Sequence, residues 1–145
     1  KDGVAFQILK FRTMIINAES NGAVFATTQD SRVTAFGKFL RKTRIDEFPQ
    51  FINILKGDMA VIGPRPERPF FVKEIAEIMP FYETRHIIKP GLTGWAQVNY
   101  SYGATIEDSL IKLQYDLYYI KHRSIFLDLN IAFKTITTVL FYRGQ

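Results

Sequence analysis

Two adjacent carboxylates, Asp46 and Glu47, follow the most basic stretch of the sequence, which contains Arg41, Lys42 and Arg44. Carboxylate oxygens are ligands that hard cations such as Mg²⁺ prefer, and a carboxylate can also attack phosphorus as a nucleophile. The neighbouring cations would attract a phosphorylated substrate. The pattern therefore suggests a metal-assisted reaction on a phosphorylated molecule, with one carboxylate as the nucleophile and the other as the metal ligand.

The same pair also has a purely structural interpretation. We predict that a helix begins near Asp46, and Pro49 suits a first helical turn because the N–H groups there have no intrahelical partner. Asp is a favoured N-cap residue, and Glu in the first turn complements the helix dipole. Since a helix N-terminus also attracts phosphate, the spacing alone leaves both interpretations open.

Three other basic groups could contact a phosphorylated substrate: Lys10 and Arg12; Arg65; and Arg85, His86 and Lys89. Surface exposure without chemistry is the usual state of Lys and Arg. Arg65 is the strongest candidate, because Pro64 and Pro66 on either side restrict the backbone. A rigid backbone would aim its planar donor fork, which suits phosphate.

The composition is that of one folded domain, residues 1–145. Apolar residues make up 47% of the chain, with 13 Phe and 7 Tyr, which is enough for a core and disfavours disorder. The net charge of +5 fits nucleic acid, anionic lipid or a phosphorylated substrate. The absence of cysteine excludes disulfides and thiolate metal sites. Because the chain begins at Lys1 without Met, we expect it to be part of a longer protein.

Apolar spacing predicts a mainly helical α+β domain with a few short strands. The strand candidates are residues 4–11 and 59–62. Helices are predicted around residues 36–43, across Phe48, Phe51, Ile52 and Leu55 as far as Gly57, from Pro69, from a Thr105–Asp108 capping box, and over residues 125–141. The inward residues should be Val72, Ile75 and Met79 on the third helix and Ile106, Leu110, Leu113, Leu117 and Ile120 on the fourth.

Five segments occur in the order found in one known family: residues 10–14, 40–50, 55–59, 62–66 and 89–99. Together they resemble the bacterial sugar transferases, also called monotopic phosphoglycosyl transferases. Residues 115–119 and 127–129 resemble the larger members that initiate exopolysaccharide assembly. Five ordered segments are far more specific than one short motif, so the resemblance favours the chemical interpretation of the carboxylate pair.

The resemblance implies transfer of a sugar 1-phosphate from a UDP-sugar to polyprenyl phosphate in two steps. Asp46 would be the nucleophile that attacks the sugar-linked phosphorus and expels UMP, leaving a covalent phosphosugar. Glu47 would bind Mg²⁺. The expected substrate-binding residues are Arg41, which matches a phosphate-contacting arginine, Arg65 of the Pro-Arg-Pro loop, and Lys10 and Arg12, which lie in a matching segment.

The family also implies a location. We expect a single membrane-associated catalytic domain at the cytoplasmic face of the bacterial inner membrane, in contact with lipid. The N-terminal membrane-entering helix of the family is missing from this chain. Tyr100 follows Asn99 where many members have Gly, which would reshape a loop near the site.

Two other functions fit parts of the sequence. A non-catalytic module could bind anionic lipid or nucleic acid through the basic helix, and a structural subunit could hold a membrane complex together. Asp46 and Glu47 would weaken binding to a polyanion because they lie inside the basic stretch. Nucleic acid is therefore not an expected partner.

Overall fold

The computed structural model describes residues 1–20, 22, 30–100 and 105–140. These residues form a mainly helical α+β fold, as predicted. The helices are α1 (Ala35–Lys42), α2 (Gln50–Lys56), α3 (Pro69–Ile78), α4 (Trp95–Asn99), α5 (Ile106–His122) and α6 (Ile125–Leu140). The strands are β1 (Ala60–Ile62) and β2 (Gly91–Thr93), and two 3₁₀ segments span Ile45–Glu47 and Tyr82–Ile87. Phe141, the predicted end of the last helix, lies outside the described residues.

The predicted strand over residues 4–11 is wrong. This segment has no regular secondary structure and pairs with no strand in the described part of the chain. The Leu9 N–H donates to Asn53 Oδ1 at 3.0 Å, and Asn53 Nδ2 donates to the Gln7 carbonyl at 2.8 Å. Asn53 of α2 thus supplies the donor and the acceptor that a neighbouring strand would otherwise provide, which apolar alternation cannot reveal.

The first helix forms where predicted and holds the N-terminal segment in place. Thr34 caps α1 by accepting a hydrogen bond from the Gly37 N–H at 2.9 Å. Gly37 lies directly against the Thr13 backbone, and a Cβ at this position would overlap the Thr13 carbonyl group. Thr13 also accepts a hydrogen bond from the Thr34 N–H at 3.0 Å. The close packing of α1 therefore fixes the path of the segment that carries Lys10.

The second helix buries its polar side and exposes its apolar one. Gln50 and Asn53 are buried. Gly57 ends the helix in the left-handed conformation, at φ 83°, as the sequence predicted. Four exposed side chains form what we call the apolar face: Phe48, Phe51, Ile52 and Leu55. A helix of only seven residues is not stable by itself in water. The contacts of its buried polar side chains and the turns on either side must therefore stabilise it.

The two strands form a small parallel sheet in which Ala60 pairs with Gly91 and Ile62 with Thr93. Backbones approach closely at one end of this sheet. A Cβ at Gly63, Gly91 or Gly94 would overlap backbone atoms of the facing segment. Only glycine allows this approach, which brings the loop after β1 against the loop around β2.

The hydrophobic core lies between α3, the second 3₁₀ segment and α5. Its buried members are Phe71, Ile75, Met79, Tyr82 and Leu113. The prediction that Ile75 and Met79 face inward is confirmed, and Val72 packs partly buried against them.

The predicted stripe of α5 is only partly correct. Leu113 is buried, but Leu110 is 46% exposed. The buried face instead follows Leu113, Asp116 and Tyr119, because the polar groups of Asp116 and Tyr119 find partners elsewhere in the fold. The Asp116 carboxylate pairs with Arg85, and the Tyr119 hydroxyl donates to Asp128 at 2.7 Å. The Ile106 side chain lies outside the described residues.

The last helix, α6, buries Ile131 completely and leaves several apolar side chains exposed, namely Ile125, Phe126, Leu129, Phe133 and Ile136. Among the described helices, none combines the length and the apolar character required to cross a membrane.

Candidate functional site

Glu47 is the buried centre of a charge cluster. Its Oε1 accepts hydrogen bonds from Lys10 Nζ at 3.1 Å and from Arg65 Nη2 at 2.7 Å. The Glu47 residue is only 8% exposed, and hydrogen bonds between charged groups are stronger than neutral ones. The structure thus brings together three of the residues that the sequence analysis selected from separate segments.

Lys10 reaches Glu47 because its backbone is anchored on both sides. The Leu9 N–H donates to Asn53, and the Phe11 N–H donates to the Asp46 carbonyl at 3.0 Å. The second bond joins the N-terminal segment to the turn that carries both carboxylates. The position of the Lys10 ammonium is therefore set by main-chain contacts as well as by its own charge.

Arg65 is aimed by a loop that is tied to β2. The Pro64 carbonyl accepts a hydrogen bond from the Gly91 N–H at 2.9 Å, and the Gly63 N–H donates to the Thr93 carbonyl at 2.9 Å. Proline fixes φ on either side of the arginine. These contacts hold the guanidinium within reach of Glu47, as the rigid Pro-Arg-Pro sequence suggested.

The two carboxylates do not begin α2, which corrects the prediction of a helix start near Asp46. They lie in a separate 3₁₀ turn, Ile45–Glu47, and Pro49 is the N-cap of α2 rather than part of its first turn. Because Pro49 has no N–H, the Ile45 carbonyl cannot accept an α-helical bond from it. That carbonyl accepts instead from the Phe48 N–H at 3.1 Å.

The turn begins at Arg44, whose φ of 59° places a non-glycine residue in the left-handed region. Such a conformation costs of order 1–3 kcal/mol and is found most often at functional sites. It reverses the chain sharply after α1, so that the basic helix and the carboxylates lie side by side.

Asp46 differs from Glu47 in its partners. Asp46 is 8% exposed, and its Oδ1 is buried with no hydrogen-bond partner in the part of the chain that the structure describes. Burial and the neighbouring Glu47 charge raise the pKa of Asp46, against the attraction of Lys10 and Arg41. The capping interpretation requires a backbone donor on this side chain, and none is present among the described residues. A buried acceptor without a donor is costly and calls for a functional explanation.

Glu47 stays ionised despite its burial. Burial acts to raise its pKa, but Arg65 and Lys10 outweigh it and lower the pKa of Glu47 to about 2. The pKa of Lys10 is lowered by burial and by Arg65, which outweigh the attraction of Glu47. The cluster is therefore a carboxylate permanently paired with two cationic groups.

The other two predicted binding residues lie in different surroundings. Arg41 is half-buried, and its Nε donates to Thr13 Oγ1 at 2.9 Å. Arg12 is exposed, and its side chain takes part in no hydrogen bond or ion pair identified within the described ranges. Sequence reasoning did not single out Thr13 as the residue that orients Arg41, because a lone threonine carries no such signal.

A cavity of about 1960 Å³ opens beside the cluster. Lys10, Glu47 and Arg65 line it, whereas Asp46 does not. It exceeds the roughly 300–1,000 Å³ of ordinary small-molecule sites, so it has room for a substrate of several parts. Further cations line it, including Lys112 of α5 and Lys134 of α6. Both looked like ordinary surface lysines in the sequence.

The carboxylate pair also has the chemistry of a weak Mg²⁺ site. Within the described ranges, no group of three or more His, Cys, Asp or Glu side chains could hold a metal. Mg²⁺, however, is commonly held by one or two carboxylates together with phosphate oxygens of the substrate. Asp46 Oδ1, which lacks a donor, is an oxygen ligand of this kind, so the residues fit the ion.

Taken together, the geometry supports chemistry on an anionic substrate. Lys10 and Arg65 face a cavity and are already engaged with a carboxylate. A phosphate that enters this cavity would meet preorganised donors, which cost no reorganisation when charge develops.

Comparison with known proteins points to the same chemistry. A family model described as bacterial sugar transferase matches residues 1–142. A relative from Aeromonas hydrophila, UDP-N-acetylgalactosamine-undecaprenyl-phosphate N-acetylgalactosaminephosphotransferase, is 55% identical over 135 residues, which cover 93% of this chain and 32% of the relative.

Two further relatives are named UDP-glucose:undecaprenyl-phosphate glucose-1-phosphate transferase. The protein from Escherichia coli is 40% identical over 137 residues, which cover 93% of this chain and 30% of the relative. The protein from Caulobacter vibrioides is 39% identical over 140 residues, which cover 95% and 52%. The chain thus spans about a third to a half of the length of these relatives.

We predict that acid removes the stabilisation contributed by Glu47. The pKa is about 2 in the folded protein, against 4.5 for the free side chain. A carboxyl group whose pKa is lower when folded stabilises the protein above the unfolded pKa and loses this effect as the pH falls from about 4.5 towards 2. The difference corresponds to roughly 3 kcal/mol at neutral pH.

The measurement is the free energy of unfolding by denaturant between pH 7 and pH 3 in metal-free buffer. Glu47→Gln should be less stable at pH 7 and should lose less stability on acidification than the wild type. The matched control is Glu77→Gln at an exposed position of α3, which should keep the wild-type pH dependence. Identical pH dependence for Glu47→Gln and the wild type would contradict the prediction.

Proposed function

The chain belongs to the bacterial sugar transferase family, and we propose that it is the catalytic part of a phosphoglycosyl transferase. It would move a sugar 1-phosphate from a UDP-sugar to undecaprenyl phosphate, the reaction for which its relatives are named. The observation that carries the proposal is the carboxylate pair, in which Glu47 is held by two cations and Asp46 Oδ1 has no donor in the described structure.

In the first step, Asp46 attacks the phosphorus that bears the sugar. A bond forms between the carboxylate oxygen and phosphorus, and the bond from phosphorus to the bridging oxygen of UMP breaks. The electron pair leaves with UMP, and the sugar phosphate remains on Asp46. Asp46 is the better nucleophile of the pair, because Glu47 Oε1 is engaged by Lys10 and Arg65.

Lys10 and Arg65 prepare the donor for this step. A diphosphate repels a carboxylate until its charge is offset, and phosphoryl transfer proceeds through a loose transition state with charge on the phosphate oxygens. Both cations line the cavity and can exchange part of their contact with Glu47 for phosphate oxygens. Arg41, fixed by Thr13, would contact phosphate near Asp46.

Asp46 and Glu47 would also hold Mg²⁺. When bound, Mg²⁺ offsets the charge of the diphosphate and of the leaving UMP. Lys10 and Arg65 then keep Glu47 ionised and correctly oriented, as the lowered pKa of this carboxyl group indicates.

In the second step, the phosphate of the lipid attacks the phosphorus on Asp46. The bond from phosphorus to the carboxylate oxygen breaks, and the electron pair returns to Asp46. The product is a polyprenyl diphosphate sugar, and the carboxylate is ready for another donor. An acyl phosphate is reactive enough to pass its group to the weakly nucleophilic lipid phosphate.

The acceptor requires a membrane, and we propose that the domain lies on the cytoplasmic face of the inner membrane. The apolar face of α2 is exposed next to the turn that carries Asp46 and Glu47. On α1, exposed Phe36 and Phe39 accompany the exposed cations Lys38 and Lys42. Apolar side chains flanked by cations are typical of surfaces that rest on anionic lipid.

The same surface supports a second function, a non-catalytic module that binds anionic lipid. That function explains α1 but gives no role to the pairing of the buried Glu47 with Lys10 and Arg65. The two functions differ in one covalent event, the attachment of a sugar phosphate to the protein.

We predict that the protein gains the mass of a sugar phosphate when it is exposed briefly to UDP-sugar and metal without acceptor. UDP-N-acetylgalactosamine and UDP-glucose are the donors to test first, because the relatives are named for them. Asp46→Asn should gain no mass, because an amide cannot form the acyl phosphate, while still binding nucleotide sugar.

Intact-protein mass spectrometry distinguishes the outcomes. Glu74→Gln is the control, because Glu74 is exposed on α3 and does not line the cavity; it should react like the wild type. A mass gain in Asp46→Asn would move the nucleophile to another residue, with Glu47 as the first candidate. Lipid product without any adduct in the wild type would favour direct transfer, and neither product nor adduct would favour the lipid-binding module.

We also predict that UMP release depends on a divalent cation. EDTA should abolish it, and excess Mg²⁺ should partly restore Glu47→Gln, whose weakened metal site can be filled by mass action. No metal concentration should restore Asp46→Asn. Full activity of the wild type in EDTA would remove the metal role from Glu47.

A third prediction concerns the lipid surface. Lys38→Gln with Lys42→Gln should weaken co-sedimentation with anionic vesicles about 30-fold, since each cation near the surface is worth about 1 kcal/mol. The control, Lys73→Gln with Lys121→Gln, removes the same charge from exposed positions of α3 and α5. Equal effects of both pairs would show that only the overall charge matters and that α1 is not the contact surface.

A further inference from the structure

Arg85 is a buried arginine with no role in the reaction described so far. It lies in the 3₁₀ segment Tyr82–Ile87 and is only 6% exposed. Its Nη2 is 2.7 Å from Asp116 Oδ2, and its Nη1 donates to the Tyr82 hydroxyl at 2.6 Å. Nη2 also donates to the Arg65 main-chain carbonyl at 2.8 Å. One guanidinium thus joins α5, the core and the Pro-Arg-Pro loop.

The Arg65 carbonyl needs a donor of this kind because its neighbours cannot provide one. Pro66 and Pro69 have no N–H, and the Arg68 N–H donates to the Glu67 side chain at 3.2 Å. Buried backbone carbonyls are normally paired with a donor, and in the described structure a side chain from another segment supplies it. Arg85 is that group, and it comes from 20 positions further along the chain.

Arg85 is itself held firmly. Tyr82 belongs to the buried core with Phe71 and Leu113, and Asp116 is 1% exposed. Burial acts to lower the pKa of Arg85, but the Asp116 carboxylate outweighs it and raises the pKa. A planar fork with fixed donors can make three contacts at once, which a lysine ammonium at the end of a flexible chain cannot reproduce.

We propose that Arg85, anchored by Asp116 and Tyr82, is a positioning residue that fixes the Arg65 backbone and so aims the Arg65 guanidinium at Glu47 and the substrate phosphate. The inference rests on the proposed function, because the orientation of the Arg65 guanidinium should affect the rate of the transfer reaction. Arg85 acts through Arg65: its Nη1 and Nη2 are engaged by Tyr82, Asp116 and the loop carbonyl, and its buried Nε has no partner among the described residues.

A merely structural role for Arg85 makes a different prediction. If Arg85 only stabilised the fold, its replacement would reduce activity by the same factor whether or not Arg65 had its guanidinium. If Arg85 acts through Arg65, replacing Arg85 should change the activity little in a variant that already lacks the Arg65 guanidinium. Residues in one hydrogen-bonded network show such coupling, whereas independent sites are additive.

The test is a double-mutant cycle with Arg85→Lys, Arg65→Ala and the two combined, using the protein in lipid with UDP-sugar and Mg²⁺. The readout is kcat/KM for UMP release. We expect Arg85→Lys to lower kcat/KM about tenfold in the wild-type background and less than about twofold in Arg65→Ala, within the range of coupling seen for contacting residues. The same factor in both backgrounds would overturn the proposal.

Two further variants separate positioning from folding. Tyr119→Phe removes another side-chain hydrogen bond of α5, the part-buried one to Asp128, and should lower the melting temperature with additive effects in the cycle. If Arg85→Lys does not fold, Tyr82→Phe takes its place in the same cycle, because it removes one anchor of Arg85 and leaves the charge pair intact. Additivity of Tyr82→Phe with Arg65→Ala would then count against the proposal.

The cycle also distinguishes a failure of the positioning role of Arg85 from a failure of the proposed function. An active wild type with additive variants overturns the positioning role alone. A wild type that releases no UMP from any UDP-sugar overturns the proposed function and this inference with it.

Discussion

The hydrogen bonds from Lys10 and Arg65 to a single oxygen of Glu47 are the contacts on which the site depends. They join the N-terminal segment, a 3₁₀ turn and a proline-bounded loop. Burying a carboxylate is costly unless it is paired with good geometry, and of the three side chains only that of Glu47 is buried, at 10% exposed against 38% for Lys10 and 40% for Arg65. The rest of the described structure can be understood as the scaffold that makes this geometry possible.

Two close backbone approaches supply that scaffold. Gly37 allows α1 to lie directly on Thr13, which fixes the segment leading back to Lys10. Gly63 allows the loop after β1 to lie on β2, which fixes Arg65. In each case a glycine outside the charge cluster sets the position of a cation. The geometry of the site is therefore determined mainly by the packing of the backbone.

The sequence predicted the helical class, the positions of most helices and three of the clustered residues, because apolar spacing and ordered motifs report on local structure. It failed where long-range polar contacts decide. Asn53 replaces a strand partner for residues 4–11, and Asp116 is buried on α5 because Arg85 lies opposite. Pairings of this kind depend on residues brought together by the fold, and a single sequence contains no periodic signal for them.

The glycine contact between β1 and β2 has a consequence for how such a protein can change over generations. Gly63, Gly91 and Gly94 all lie where an added methyl group would overlap the facing backbone. No single substitution at these positions can be accommodated by adjusting a neighbouring side chain, because the obstacle is main chain. Sequence drift should therefore leave these three glycines unchanged.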